Sequence, residues 1–196
     1  MQAQTFVFFG IMGSGKGTQV KLLTDFLKSK DSKETVYAGT GEGFRKLIES
    51  DSHTADIVKG HMIRGELVAD FLTTSIFANV LVSSLTPLKH LIADGYPRTI
   101  AQAEDFEVMM EFYGRKDVKI VYIEVGREEA MKRNLLRGRP DDTKEGLEKR
   151  FDEYVNNVIP AMNYFKDKEN YKIYTINGEQ PVEKVHQDII NTLNFN

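Results

Sequence analysis

The residue types with the clearest chemistry stand close to the amino end, in Gly10-Ile11-Met12-Gly13-Ser14-Gly15-Lys16-Gly17-Thr18. Closely spaced glycines let backbone N–H groups turn toward one point, and a following helix adds its own unpaired donors, which makes a cradle for phosphate. A lysine in the place of Lys16 reaches the β- and γ-phosphates of a nucleotide, and the Thr18 hydroxyl is placed to hold the metal. The general pattern has Ser or Thr directly after the lysine, whereas here Gly17 intervenes.

A second candidate group follows the apolar run His90-Leu91-Ile92-Ala93, which delivers Asp94 and then Gly95-Tyr96-Pro97-Arg98. An acid at the C-terminal end of a parallel strand beside a phosphate loop is well placed to order a metal and its waters. Pro97 stiffens the loop, so Arg98 can be aimed. Of nine arginines, five fall between Arg127 and Arg150 and none follows. In a chain of net charge −3 this concentration points to local capture of phosphate groups and argues against general polyanion binding. Arg133 and Arg137 are four residues apart on a helical pattern and share a side. Arg45, taken alone, reads as a solvated surface group that could also look into a cleft.

The elements that must position these groups are legible from periodicity. Thr5 to Phe9 reads as a buried parallel strand, and further strands are expected at 35–39, 90–93, 118–125 and 171–176. Between them the spacing predicts helices after Gly17, after Thr40, from Thr54 to Ile63, from about Glu66 to Ser83, from Ala101 to Tyr113 and from Glu128 to Leu136. In the fourth of these, Val68, Phe71, Leu72, Ile76, Val80 and Leu81 are expected to face the core. A helix from Thr143 or Lys144 is expected to kink or divide at Pro160, and Pro181 opens a terminal helix. Five strands alternating with helices predict a three-layer α/β fold with a parallel sheet in a single domain, residues 1–196. The succession of helices between the second and third strands is longer than a crossover needs, which predicts an inserted lobe able to move over a ligand.

Composition narrows the classes. The chain of 196 residues is 41% hydrophobic, without a run of eighteen apolar residues or a basic apolar leader, so neither a membrane span nor a signal peptide is expected. The absence of cysteine excludes disulfides, thiolate zinc sites and cysteine nucleophiles, and is compatible with a cytoplasmic location. The four histidines, His53, His61, His90 and His186, lack compact ligand spacing and read as surface or boundary residues.

One metal-polyphosphate site with this much additional arginine exceeds what hydrolysis of one nucleotide requires. Phosphoryl transfer between two nucleotides needs positive charge on both sides of the moving group and exclusion of water. It needs no dedicated base when the acceptor is already an anionic phosphate, which suits a chain without a convincing His-acid pair.

Five segments in order then resemble the adenylate kinases of the nucleoside monophosphate kinase family. They are Gly10 to Thr18, Thr40-Gly41-Glu42-Gly43-Phe44-Arg45, Gly65-Glu66-Leu67-Val68, Asp94 to Arg98 with Gln102, and Arg139-Pro140-Asp141-Asp142 with Arg150. The family's phosphate loop, Gly-x-x-Gly-x-Gly-Lys-Gly-Thr, accounts for Gly17. The resemblance implies a P-loop NTPase fold with a small nucleoside-monophosphate lobe at about 40–69 and a short lid at 134–143. It implies magnesium-dependent transfer from ATP to AMP giving two ADP. Donor phosphates would lie on Gly13, Ser14, Gly15, Lys16, Gly17 and Thr18, with Arg133 and Arg137 on the ATP side and Asp94 orienting the magnesium waters. AMP would meet Thr40, Arg45, Leu67, Val68, Gly95, Arg98, Gln102, Arg139 and Arg150, and the catalytic set would be Lys16, Arg98, Arg133, Arg139 and Arg150. The lid is too short for the zinc-bearing type, so no structural zinc is expected. A cytoplasmic monomer with ATP, AMP and ADP as partners, and with neither nucleic acid nor membrane, completes the expectation.

Glu42 replaces the usual aspartate, Ala69 stands where proline is common, and Ile11-Met12 replaces smaller loop residues. Two other readings stay open at this point: a UMP/CMP kinase on the same machinery, and a nucleotide-binding regulatory protein with little turnover. Thr40 and Gln102 favour AMP, because a glutamine amide offers adenine both a donor and an acceptor.

Overall fold

The structure, a computed structural model, describes residues 2–138 and 143–195. Five parallel strands, β1 (Thr5–Phe9), β2 (Thr35–Gly39), β3 (His90–Asp94), β4 (Val118–Glu124) and β5 (Tyr171–Asn177), form one sheet in the order β2-β3-β1-β4-β5. The chain therefore leaves β1 to one side for β2 and β3 and later crosses to the other side for β4 and β5. The carboxyl ends flanking β1 are where the order reverses, and in open α/β sheets that crevice holds the ligand.

Alternation along the strands splits the core into two layers, as a period of two requires. Phe6, Phe8, Ile92, Val121 and Ile123 meet Leu23 and Leu27 of α1 (Lys16–Lys30) and Val185 and Ile189 of α9 (Val182–Leu193). Val7, Phe9, Leu91, Ala93 and Ile120 face the opposite way, against Phe77 and Leu81 of α4 (Asp70–Ser84) and Phe106 and Met110 of α5 (Ile100–Phe112). This is the three-layer architecture that the alternating pattern predicts. No helix among the described residues is long and apolar enough to cross a membrane.

Several local expectations are corrected. The helix expected after Thr40 begins at Thr40 itself, as α2 (Thr40–Leu47), directly from the second strand. After α3 (His53–Arg64), residues 66–69 are not helical, and α4 begins at Asp70. Gly65 ends α3 in the left-handed conformation and turns the chain away, so Val68 leaves the helical stripe and lines the cleft. Phe71 is 74% exposed, and the buried stripe is Thr73, Phe77 and Leu81. His90 is fully buried: its Nδ1 accepts from the Gln4 backbone N–H at 3.0 Å and its Nε2 lies 3.3 Å from Asp31 Oδ1.

After α6 (Arg127–Arg137) and α7 (Lys144–Glu153), helical turns run on through Pro160 without a break. A π-helical segment, Tyr154–Val158, precedes α8 (Ile159–Asn163), whose first turn contains the proline. The wider turn accommodates a ring that would collide with a carbonyl in a continuous α-helix.

Candidate active site

The loop after β1 enters α1 through Gly15, and no side chain caps the first turn. By contrast, Ser52, Thr99 and Thr143 each accept a backbone N–H at the starts of α3, α5 and α7. The leading amides of α1 are uncapped, as are those of α2, α4, α6 and α9, but only in α1 does a glycine loop in the cleft lead into them, and an anion suits their charge. Gly13 is fixed by close approach: it takes φ 81°, and a Cβ there would fall 2.5 Å from Asn134 Nδ2 and 2.7 Å from Ala130 O.

Lys16 curls back over the loop, its Nζ donating to Gly10 O at 2.6 Å and Ile11 O at 3.0 Å. Loss of water around the ammonium, opposed by Asp94 and reinforced by Arg98 and Arg137, brings its pKa down to about 8. The site is poor in negative charge relative to its cations. Six cationic side chains, Lys16, Arg45, Arg98, Arg133, Arg137 and Arg150, line one cleft of about 680 Å³ against four carboxylates. An excess of fixed positive charge in a partly desolvated cleft is what a polyphosphate would neutralise.

Each arginine is held differently. Arg133 Nε donates to Glu129 Oε1 at 2.7 Å and its Nη1 to Gly178 O at 3.0 Å. Arg137 donates to Asn134 Oδ1 at 2.7 Å, while the Asn134 amide donates to Ala130 O at 2.7 Å. Asn134, completely buried, therefore touches both the phosphate loop at Gly13 and the arginine at the end of α6. Arg150 reaches across from α7 to Met62 O at 3.1 Å, tying the end of α3 to the far wall. Arg45 has no carboxylate partner within ion-pair distance among the described residues and lines the cleft from α2.

The loop after β3 is organised around the Gly95 carbonyl, which accepts from both Thr40 Oγ1 and Arg98 Nε at 2.8 Å. Gly95 itself takes φ 77°, and a Cβ there would sit 2.9 Å from Arg98 Nη2 and 3.0 Å from Thr40 Oγ1. Burial lowers the Arg98 pKa, Asp94 opposes that shift and Arg150 adds to it. Gln102 accepts from the Arg98 backbone N–H at 2.8 Å and donates to Asp70 Oδ1 at 2.7 Å. A glutamine amide has two donor hydrogens and two acceptor lone pairs, so half its capacity remains.

Most sequence-predicted residues meet in this one cleft: Gly13, Gly15, Lys16, Gly17, Thr18, Arg45, Leu67, Val68, Asp94, Gly95, Arg98, Gln102, Arg133, Arg137 and Arg150 line it. Two do not line it. Ser14 is buried, with its backbone N–H on Ile11 O at 3.1 Å, and Thr40 is buried with its hydroxyl on Gly95. Arg139 lies outside the described residues, as do positions 140–142 of the expected lid; positions 134–137 of that lid are the last turn of α6.

Sequence reasoning missed Tyr37, Asp70 and Asn134. A glycine inside the short strand β2, at Gly39, was the one available signal for the first of them, because glycine in a strand often marks a close approach. Asp70 and Asn134 act through partners distant in sequence, and no local pattern announces them.

A magnesium ion fits the donor set. Thr18 and Asp94 bring two hard oxygens to the same cleft, and no group of three or more His, Asp or Glu that could cage a metal occurs among the described residues. A site with few protein oxygens suits a cation that keeps its waters and arrives with phosphates.

The profile of the family described as Adenylate kinase matches residues 8–170. Among similar proteins, the adenylate kinase of Prochlorococcus marinus (strain MIT 9301) is 35% identical over 183 residues, covering 93% of this chain and 94% of its own. That of Bacteroides fragilis (strain YCH46) is 33% identical over 187 residues, with 93% and 94% covered. That of Thermosipho africanus (strain TCF52B) is 32% identical over 218 residues, with 95% and 98% covered.

Proposed function

The chain belongs to the adenylate kinase family, and we propose that it moves the terminal phosphoryl group of ATP reversibly to AMP, giving two ADP. The observation that carries this reading is the convergence of six cationic side chains from five separate elements on the cleft at the carboxyl ends of β1 and β3. Transfer between two anionic phosphates is chiefly a problem of positioning and charge, and those are what this cleft supplies.

In this reading the donor phosphates lie along the loop from Gly13 to Thr18, with Lys16 released from the Gly10 and Ile11 carbonyls to meet them. Arg45 and Arg98 hold the AMP phosphate. Arg133 and Arg137 approach from α6 on the ATP side, and Arg139 and Arg150 close the charge around the transferring group. Magnesium, when bound, would supply neutralisation of phosphate charge, and Thr18 and, through water, Asp94 would hold it. Leu67, Val68 and Gln102 form the acceptor base wall, and Gln102 enters it already oriented by Arg98 and Asp70. Thr40 acts indirectly, through the Gly95 carbonyl.

Residues 40–69 form the moving acceptor lobe and 134–143 the short lid, whose joint closure excludes water. We read the protein as a monomer of the cytoplasm, without structural zinc and without a nucleic-acid or membrane partner. A coupled assay offering AMP, UMP, CMP and GMP with magnesium and ATP tests the reaction. Strong preference for AMP supports it, preference for UMP or CMP overturns the base assignment, and phosphate release without an acceptor overturns transfer itself.

A further inference from the structure

We propose that Tyr37 is a positioning residue for Asp94, holding one carboxylate oxygen so that the other is presented to the magnesium water shell. The inference rests on the role given above to Asp94. It begins from the sheet register: on β2, Tyr37 and Gly39 are two apart and share a face, and Gly39 stands directly opposite Asp94 on β3. A side chain at 37 reaches Asp94 only by lying along the strand over position 39.

The tyrosine does so. A Cβ built on Gly39 would fall 2.5 Å from Tyr37 Cζ and 2.6 Å from Cε1, and the Tyr37 hydroxyl lies 3.2 Å from Asp94 Oδ2. Gly39 has φ −102° and ψ 106°, ordinary strand values that any residue adopts. The backbone therefore gives no reason for glycine at 39, whereas the ring does.

The direction of the hydrogen bond is fixed by chemistry. A carboxylate only accepts, so the hydroxyl donates. Asp94 Oδ2 is thereby committed, and Oδ1 has no side-chain donor among the described residues. Both Tyr37 and Asp94 line the cleft, so the arrangement sits where the metal would be ordered. Holding a metal-ordering carboxylate in one rotamer is how partners of this kind tune affinity.

Two substitutions in the full-length chain test this, Tyr37→Phe and Gly39→Ala, with dissociation constants for ATP measured calorimetrically with and without magnesium, alongside the AMP KM. Tyr37→Phe is expected to weaken binding of magnesium-ATP about tenfold, the lower end of the effect typical of lost outer-shell partners, while metal-free ATP binds as before and the AMP KM is unchanged. Gly39→Ala is expected to give the same selective loss by displacing the ring, and in a Tyr37→Ala background, where that space is empty, to add nothing. Electron paramagnetic resonance of manganese with ATP gives a readout independent of turnover and should move in parallel. Equal losses with and without metal, or unchanged magnesium-ATP binding in Tyr37→Phe, would overturn the proposal. Should the unsubstituted protein transfer no phosphate to AMP, the proposed function itself fails, a result distinct from either.

Discussion

The Gln102 side-chain amide donates to Asp70 Oδ1 at 2.7 Å, which links the residue expected to read the acceptor base to the first residue of α4. With its oxygen on the Arg98 N–H at 2.8 Å, the amide is turned before any nucleotide arrives, and the cost of ordering it has already been met in folding.

Asp70→Ala should release that orientation. The expected result is a fall of about tenfold in kcat/KM for AMP, roughly 1.4 kcal/mol, with a smaller fall for UMP and CMP, so that base preference narrows. Comparing the nucleoside monophosphates in one coupled assay checks it, and a uniform loss for all of them would assign Asp70 to capping α4 alone.

Lys16 predicts a pH dependence with two opposite signs. Its pKa in the free protein is about 8, and an anionic phosphate binds only the protonated form well, so ATP affinity should hold up to about pH 8 and weaken above it. The unfolded chain keeps the proton up to 10.5, so between about 8 and 10.5 it binds more protons at this residue than the folded protein does. The contribution of Lys16 to stability of the nucleotide-free protein therefore rises with pH over that window, while affinity falls. Calorimetric titrations from pH 7 to 10 should show the first effect; a flat profile would contradict it.

Gly95→Ala combines a left-handed backbone with a blocked space. The strain alone is worth about 1–2 kcal/mol, and the added carbon would displace Arg98 or Thr40 from a carbonyl that both now share. A lowered melting temperature together with at least about a tenfold rise in AMP KM is expected. A drop in stability with unchanged AMP kinetics would separate the loop from the acceptor site.

Ala69→Pro is expected to stabilise. Ala69 has φ −48° and ψ 138° at the entry to α4, its N–H makes no backbone hydrogen bond among the described residues, and no side-chain cap is lost. Restricting the unfolded chain at such a position contributes about 0.4–1 kcal/mol. Chemical denaturation should show a higher midpoint with an unchanged slope; a lower midpoint would mean that the preceding Val68 is crowded by the ring.

The fold was legible where short apolar runs lay between polar or glycine-rich links, and all five strands fall where such runs stand. The start of α4 was not, because Val68, Phe71 and Leu72 mimic a helical stripe; the true stripe passes through Thr73, which a search for apolar residues skips. His90 was misread for a related reason: its burial depends on Gln4 and Asp31 meeting it from other elements. Within the site, side chains named by motif were legible because phosphate chemistry fixes their types and spacing. Tyr37 and Asn134 were not, since their partners are chosen by strand register and helix packing that become visible only in three dimensions.

In the proposed reaction, the two bonds from Lys16 to the Gly10 and Ile11 carbonyls make nucleotide capture an exchange. An arriving triphosphate competes with contacts of 2.6 and 3.0 Å that the loop already makes with itself and that occupy two of the three ammonium donors. Adenosine carries nothing to trade and leaves the loop locked. In the proposed reaction the strand-to-helix loop therefore selects for phosphate independently of the base.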